Sequence, residues 1–193
     1  MKILKIFSIV IVLTIVVLGL FLYKGEIPQA EVDAKYSSPN SQFFTMENGS
    51  RVHYRDEGNP NGKPLVLIHG SNASLHTWEP WIAELGDDYR IVTMDLPGHG
   101  LTGGVPSKDY SSEGQVETVE AITRHLGLDR FALGGNSMGG GVTWRYTLAN
   151  PEQVTAMILI DASGLPAWWE ERQAEQGDKE APLAFELLRK PWF

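Results

Sequence analysis

The chain has 193 residues, 42% of them hydrophobic, and a formal net charge of −8 at pH 7. This length and apolar content allow one core of moderate size and exclude a disordered chain. Because the chain has no cysteine, it has no disulfide framework and no thiolate metal site. The acidic balance without a basic stripe argues against a nucleic acid partner, and the scattered histidines predict no metal or other cofactor.

An uncharged stretch of 18 residues, Ile6 to Tyr23, lies near the amino terminus. As a helix it would be roughly 27 Å long, close to the apolar thickness of a bilayer, so residues 1–24 are predicted to be a transmembrane anchor. Lys2 and Lys5 predict a cytoplasmic amino terminus, with the rest of the protein on the outer (periplasmic or extracellular) side. A cleaved secretion signal is the alternative, although the stretch is long for one and no good cleavage site follows.

Residues 25–40 combine turn-forming and charged residues without apolar periodicity, which predicts a linker. The domain that follows is predicted to cover residues 41–166. An Asn-Gly turn at Asn48 predicts a hairpin over residues 43–55. A continuous apolar run at 64–68 is typical of a strand buried on both faces.

Helical and strand patterns then alternate along the chain. Buried strands joined by helices predict an α/β fold with a doubly wound, mostly parallel sheet, in which ligands bind beyond the carboxyl ends of the strands. The predicted helices lie around 77–85, 112–126 and 140–148, and the predicted strands at 89–94, 131–136 and 156–160.

The strand at 131–136 leads into Gly135-Asn136-Ser137-Met138-Gly139, a Gly-x-Ser-x-Gly pattern. Such a nucleophile elbow exposes a serine hydroxyl between a strand and a helix, and its glycines let backbones pass closely. Ser137 is therefore predicted to be a nucleophile, against the alternative of a tight turn that carries an incidental serine. The glycine spacing does not match the dinucleotide-binding fingerprint.

An acyl-transfer site also needs donors for the developing oxyanion. We expect them to be the backbone N–H groups of Met138, directly after the nucleophile, and of Ser71, in the loop after the strand at 64–68. Asn72 is the less favoured choice in that loop. His69 is expected to support the loop through hydrogen bonds.

The other histidines and the aspartates that end strands are assigned no catalytic role. Asp95 and Asp161 are expected to fix their own loops through backbone N–H groups, although either could contact a histidine. His53 is expected to be remote from the site, His99 to be a turn residue and His125 to be solvated.

All five histidines precede Ser137, whereas a site of this kind takes its acid and its histidine after the serine. This order predicts a hydrolase cut short and inactive by itself. A non-catalytic binding module tethered to a membrane is the alternative from another class, since no base follows Ser137. The sheet edge that such a short chain would expose favours the truncated hydrolase.

Four motifs follow strands in order: Leu67-Ile68-His69-Gly70, Asp95-Leu96-Pro97-Gly98-His99-Gly100, Gly135-Asn136-Ser137-Met138-Gly139-Gly140 and Leu159-Ile160-Asp161. Over roughly residues 41–165 they resemble the α/β-hydrolase fold superfamily, in its esterase-like and C–C bond hydrolase subgroup. The resemblance implies hydrolysis of carboxylic esters or related acyl compounds through an acyl-enzyme on Ser137, with C–C bond hydrolysis as the alternative. It also implies an acid and a histidine after later strands.

Residues 167–193, which include Trp168, resemble the start of a cap that could cover an apolar cleft. The sequence predicts neither the substrate's identity nor the oligomeric state.

Overall fold

The computed structural model describes residues 2–22 and 27–164, which fall into two units, one up to Tyr36 and one from Ser37. The first unit contains the helices α1 (Lys2–Leu22) and α2 (Gln29–Tyr36). Half of the predicted linker is therefore helical. Sequence reasoning missed α2 because none of its residues is buried, so it has no apolar stripe to detect.

α1 covers the stretch predicted to be a transmembrane anchor, but it begins at Lys2 and ends at Leu22. Its first two turns therefore contain Lys2 and Lys5, which the prediction had placed outside the apolar stretch. Within the described residues, no helix is both long enough and apolar enough to cross a bilayer. The structure does not support the predicted transmembrane helix.

The second unit contains six strands: β1 (Gln42–Thr45), β2 (Arg51–Gly58), β3 (Lys63–Ile68), β4 (Tyr89–Met94), β5 (Phe131–Asn136) and β6 (Val154–Ile160). They form one sheet in the order β1-β2-β4-β3-β5-β6. β3 to β6 are parallel, whereas β2 is antiparallel to both of its neighbours. The predicted mostly parallel sheet and the predicted hairpin at 43–55 are confirmed.

Helices cover both faces of this sheet. A 3₁₀ turn (Leu75–Trp78) and α3 (Glu79–Leu85) follow β3, α4 (Ser112–His125) follows β4, and α5 (Met138–Ala149) follows β5. The larger core joins apolar side chains of α4 and α5 to one face of the sheet, and the smaller core joins those of the 3₁₀ turn and α3 to the other face. This two-sided burial explains why β3, β4 and β5 are predicted from sequence as apolar runs.

The carboxyl ends of the parallel strands meet at one edge of the sheet, where the loops after β3, β4, β5 and β6 gather. α5 begins at Met138, directly after Ser137, rather than at residue 140 as predicted. The turn between β5 and α5 is therefore as short as a nucleophile elbow requires.

Candidate active site

Ser137 lies in a strained turn between β5 and α5. Its backbone has φ 51° and ψ −114°, a conformation that L residues rarely adopt. Its N–H donates to the Ile160 carbonyl oxygen at 2.9 Å, and its own carbonyl oxygen accepts from the N–H of Ser163 at 3.0 Å. Such strain costs on the order of 1–3 kcal/mol and persists only where the surrounding structure holds it. β6 and the loop after it supply that support.

The two glycines of the motif are required by close backbone contacts. A Cβ on Gly139 would overlap the carbonyl oxygens of Ile68 and His69 at the end of β3. A Cβ on Gly135 would overlap the backbone of Gly139 in the first turn of α5. Only residues without a side chain let α5 start this close to β3 and β5.

The loop after β3 lies against the elbow. The Ser71 hydroxyl donates to the Met138 sulfur at 3.4 Å, and a Cβ on Gly70 would lie 3.3 Å from the Ser137 Cβ. Met138 is the first residue of α5, so its N–H has no acceptor within the helix. The structure therefore brings Ser71, Met138 and Ser137 together, and the roles of the first two as oxyanion donors stay predictions.

His69 is a fully buried support for this loop. Its Nε2 accepts from the Leu96 N–H at 3.1 Å, so the ring carries its proton on Nδ1 and donates to the Gly70 carbonyl oxygen at 2.7 Å. Burial lowers the pKa of His69 and outweighs the hydrogen bond to Gly70, which raises it. As expected, His69 acts as a neutral structural link, and it joins the loops after β3 and β4.

Asp95 fixes three segments at the end of β4. Its Oδ1 accepts from the Leu75 N–H at 2.8 Å, and its Oδ2 accepts from the Leu101 N–H at 2.8 Å and from His53 Nδ1 at 2.7 Å. Burial raises the pKa of Asp95, but these hydrogen bonds outweigh it and hold the pKa below its ordinary value. The predicted loop-fixing role is confirmed.

His53, expected to be remote from the Ser137 site, contacts Ser41 and Asp95 and is not hydrogen-bonded to Ser137. The residue is fully buried in β2, and its carbonyl oxygen accepts from the Asp95 N–H at 2.9 Å. The pairing joins positions 42 residues apart and depends on β2 lying antiparallel beside β4. In β2, His53 lies between the apolar residues Val52 and Tyr54, and all three are buried. This alternation of apolar and polar residues is the sequence signal for a strand, but it did not show that the His53 face of β2 is buried as well.

The remaining candidate residues, Asp161, His99 and His125, are not hydrogen-bonded to Ser137. Asp161 is exposed after β6 with φ 48°, and His99 bonds the Pro97 carbonyl oxygen within its turn at 3.0 Å. His125 is exposed as expected, although its ring stacks on Phe44 at 4.3 Å. The predicted start of a cap at 167–193 lies outside the described residues.

Within residues 2–22 and 27–164, no histidine is hydrogen-bonded to the Ser137 hydroxyl. The described part of the site contains Ser137 in its strained turn, with Ser71 and Met138 beside it. This arrangement defines the class of protein as an α/β fold that presents a serine on an elbow between a strand and a helix.

The family model for the alpha/beta hydrolase fold matches residues 63–179, more than half of the chain, and the chain belongs to this family. Lipase 1 of Psychrobacter immobilis is 33% identical over 122 residues, which cover 63% of this chain and 38% of that protein. The 2-hydroxy-6-oxononadienedioate/2-hydroxy-6-oxononatrienedioate hydrolase of Cupriavidus pinatubonensis is 30% identical over 142 residues, 68% of this chain and 48% of that protein.

The solved structure of a probable hydrolytic enzyme from Pseudomonas aeruginosa PAO1 is similar to the present one. It has 31% sequence identity and a TM-score of 0.60, covering 70% of this chain and 45% of that chain. This chain thus spans about half or less of the length of these relatives. The resemblance to α/β hydrolases found in the sequence is confirmed.

Proposed function

We propose that this protein is a serine hydrolase that cleaves carboxylic esters or related acyl compounds through an acyl-enzyme on Ser137. The observation that carries the proposal is the strained Ser137 backbone, φ 51°, held between β5 and α5. A serine without a chemical role has no need of this conformation, because a glycine would adopt it at lower cost.

In the proposed reaction the Ser137 oxygen attacks the substrate carbonyl carbon, and its proton passes to a base. The Met138 and Ser71 N–H groups receive the oxyanion, the leaving alcohol takes the proton, and water then hydrolyses the acyl-enzyme. Each of the five histidines precedes Ser137. We therefore assign the base and its acid to positions outside the described residues and expect residues 1–193 alone to give little or no turnover.

C–C bond hydrolysis is the second candidate. The elbow Gly135-Asn136-Ser137-Met138-Gly139-Gly140 resembles that of hydrolases acting on ring-fission products. The Cupriavidus relative, at 30% identity, is named a 2-hydroxy-6-oxononadienedioate/2-hydroxy-6-oxononatrienedioate hydrolase. Against it, Ser71-Asn72-Ala73-Ser74 is less glycine-rich than the corresponding loop of those enzymes. Esters are the favoured substrates for this reason.

Hydrolysis of p-nitrophenyl acetate and butyrate by the protein isolated from its native source tests the proposal. Ser137→Ala should abolish turnover, whereas Ser107→Ala, which changes an exposed serine before α4, should leave it unchanged. A fully active Ser137→Ala protein would refute the assignment. Turnover of a ring-fission dienoate but of neither ester would favour the second candidate.

The location of the protein stays a prediction that rests on the amino-terminal sequence. Lys2, Lys5 and the apolar stretch after them predict a domain on the outer side of a membrane. Fractionation of cells into membrane and soluble proteins checks it. Recovery of the protein in the soluble fraction alone would contradict the prediction.

A further inference from the structure

A second serine, Ser41, ends a hydrogen-bonded chain of serine, histidine and aspartate. The Ser41 oxygen lies 2.8 Å from His53 Nε2, and His53 Nδ1 lies 2.7 Å from Asp95 Oδ2. His53 and Asp95 are fully buried, whereas Ser41, just before β1, is partly exposed. The same three residue types in the same order activate a serine nucleophile wherever their protons are correctly placed.

The neighbouring hydrogen bonds determine which atoms of Ser41, His53 and Asp95 carry the protons. The Asp95 carboxylate also accepts from the backbone N–H groups of Leu75 and Leu101, so it faces His53 as an acceptor. The neutral His53 ring therefore carries its proton on Nδ1 and turns the Nε2 lone pair to Ser41. The Ser38 N–H donates to the Ser41 oxygen at 3.0 Å, and the Ser38 hydroxyl oxygen lies 3.4 Å from it. The much shorter contact, 2.8 Å to the His53 Nε2 lone pair, is the one that takes the Ser41 hydroxyl proton.

Another serine of this protein, Ser74, also contacts a histidine, but the proton lies on the other side of the contact. Its oxygen lies 3.1 Å from His76 Nδ1, and Ser74 is partly exposed like Ser41. However, the Arg55 guanidinium donates to His76 Nε2 at 3.1 Å. The neutral His76 ring must then carry its proton on Nδ1 and donate it to Ser74, so His76 cannot take a proton from this serine.

We propose that Ser41 is a second nucleophilic serine, a site of covalent modification by activated acyl or phosphonyl compounds, with His53 as its base and Asp95 as a positioning residue. With a fluorophosphonate, a bond forms between the Ser41 oxygen and phosphorus, and the bond from phosphorus to fluorine breaks. The hydroxyl proton passes to His53 Nε2, which gives it to the departing fluoride, so hydrogen fluoride is released.

Modification at Ser41 stops at the covalent product. Removal of the group would require water to reach His53 Nε2, but the His53 ring is fully buried and the Phe43 ring packs 5.1 Å from it. Ser41 is therefore modified once per molecule and does not turn over. This site uses none of the residues assigned to catalysis at Ser137.

The test is reaction of the folded 193-residue chain with a fluorophosphonate, followed by mass spectrometry of its peptides. General-base assistance contributes about 10²–10⁴ in rate, so Ser41 should react at least about 100-fold faster than Ser74. Ser41→Ala should abolish the product in its peptide, and Ser74→Ala should leave it unchanged. Equal rates at Ser41 and Ser74 would overturn the proposal.

Two further measurements separate activation from simple exposure. Urea abolishes the geometry without changing the sequence, so the preference for Ser41 should disappear in the unfolded chain. Persistence of that preference in urea would overturn the proposal. His53→Gln, checked for folding by circular dichroism, should lower the rate at Ser41 alone. Peptide mapping reports Ser41 and Ser137 separately, so a negative result at Ser41 leaves the proposed function standing, and the reverse also holds.

Discussion

Asp95 offers a sharp test of what holds the loops around the elbow. Its carboxylate is fully buried and accepts three hydrogen bonds, from Leu75, Leu101 and His53. In Asp95→Asn, an amide oxygen at the Oδ2 position keeps two of these bonds, but the amide nitrogen faces the Leu75 N–H. An unsatisfied buried donor costs about 1–3 kcal/mol. Each of the two remaining hydrogen bonds now has a neutral amide oxygen as its acceptor in place of a carboxylate, which weakens it by about 1 kcal/mol.

The sum is a predicted loss of about 3–5 kcal/mol, a large part of the roughly 5–15 kcal/mol that stabilises a typical domain. Urea unfolding at pH 7, followed by tryptophan fluorescence, measures it from the transition midpoint. The control is Asp129→Asn, an exposed position that should change stability by no more than about 0.5 kcal/mol. A cost below about 1 kcal/mol for Asp95→Asn would refute the reasoning.

The pH dependence follows from the same carboxylate. Because the pKa of Asp95 is lower in the folded protein than in the unfolded chain, its contribution is complete above the ordinary carboxyl pKa of about 3.9. It is lost as the pH falls through the folded-state pKa. The stability difference between wild type and Asp95→Asn should therefore shrink below about pH 4, and a difference that stays constant to lower pH would contradict this account.

Three more predictions concern the elbow and its loop. Gly139→Ala should cost about 3 kcal/mol or more in urea unfolding, because its Cβ overlaps backbone oxygens, whereas Gly104→Ala, whose Cβ would meet only the Tyr110 hydroxyl at an ordinary contact distance of 3.6 Å, should be neutral. Since burial lowers the pKa of His69, its NMR signals should stay those of the neutral ring as the pH falls through about 6.5, while stability declines because the unfolded chain takes up the proton first. A His69 ring that titrates at or above 6.5 would contradict its assignment as a buried support. Ser71→Pro, which removes the proposed oxyanion donor, should lower kcat of the active protein about 10²–10³-fold, and Ser71→Ala, which keeps the N–H, far less. Equal kcat for these two variants would exclude the Ser71 N–H as a donor.

Local pattern was enough for the strands and for the nucleophile. β4 and β5 have the bounds predicted from the sequence, because a strand buried on both faces is mostly apolar. The elbow was equally visible, since Gly135, Ser137 and Gly139 meet their steric demands within five consecutive residues. Helix ends were less exact, and the helix predicted from residue 77 begins as the 3₁₀ turn Leu75–Trp78.

The sequence by itself determined the alternation of strands and helices, the fold class and the position of Ser137, because each depends on neighbours along the chain. Only the tertiary structure decided which side chains meet across it. Ser41 and His53 are 12 residues apart, His53 and Asp95 are 42 apart, and Ser71 and Met138 are 67 apart. These contacts depend on the strand order and on the antiparallel register of β2 with β4, and competition among whole strands for burial sets both. For this reason His53, assigned no role from its surroundings in the sequence, lies at the centre of a buried hydrogen-bonded chain.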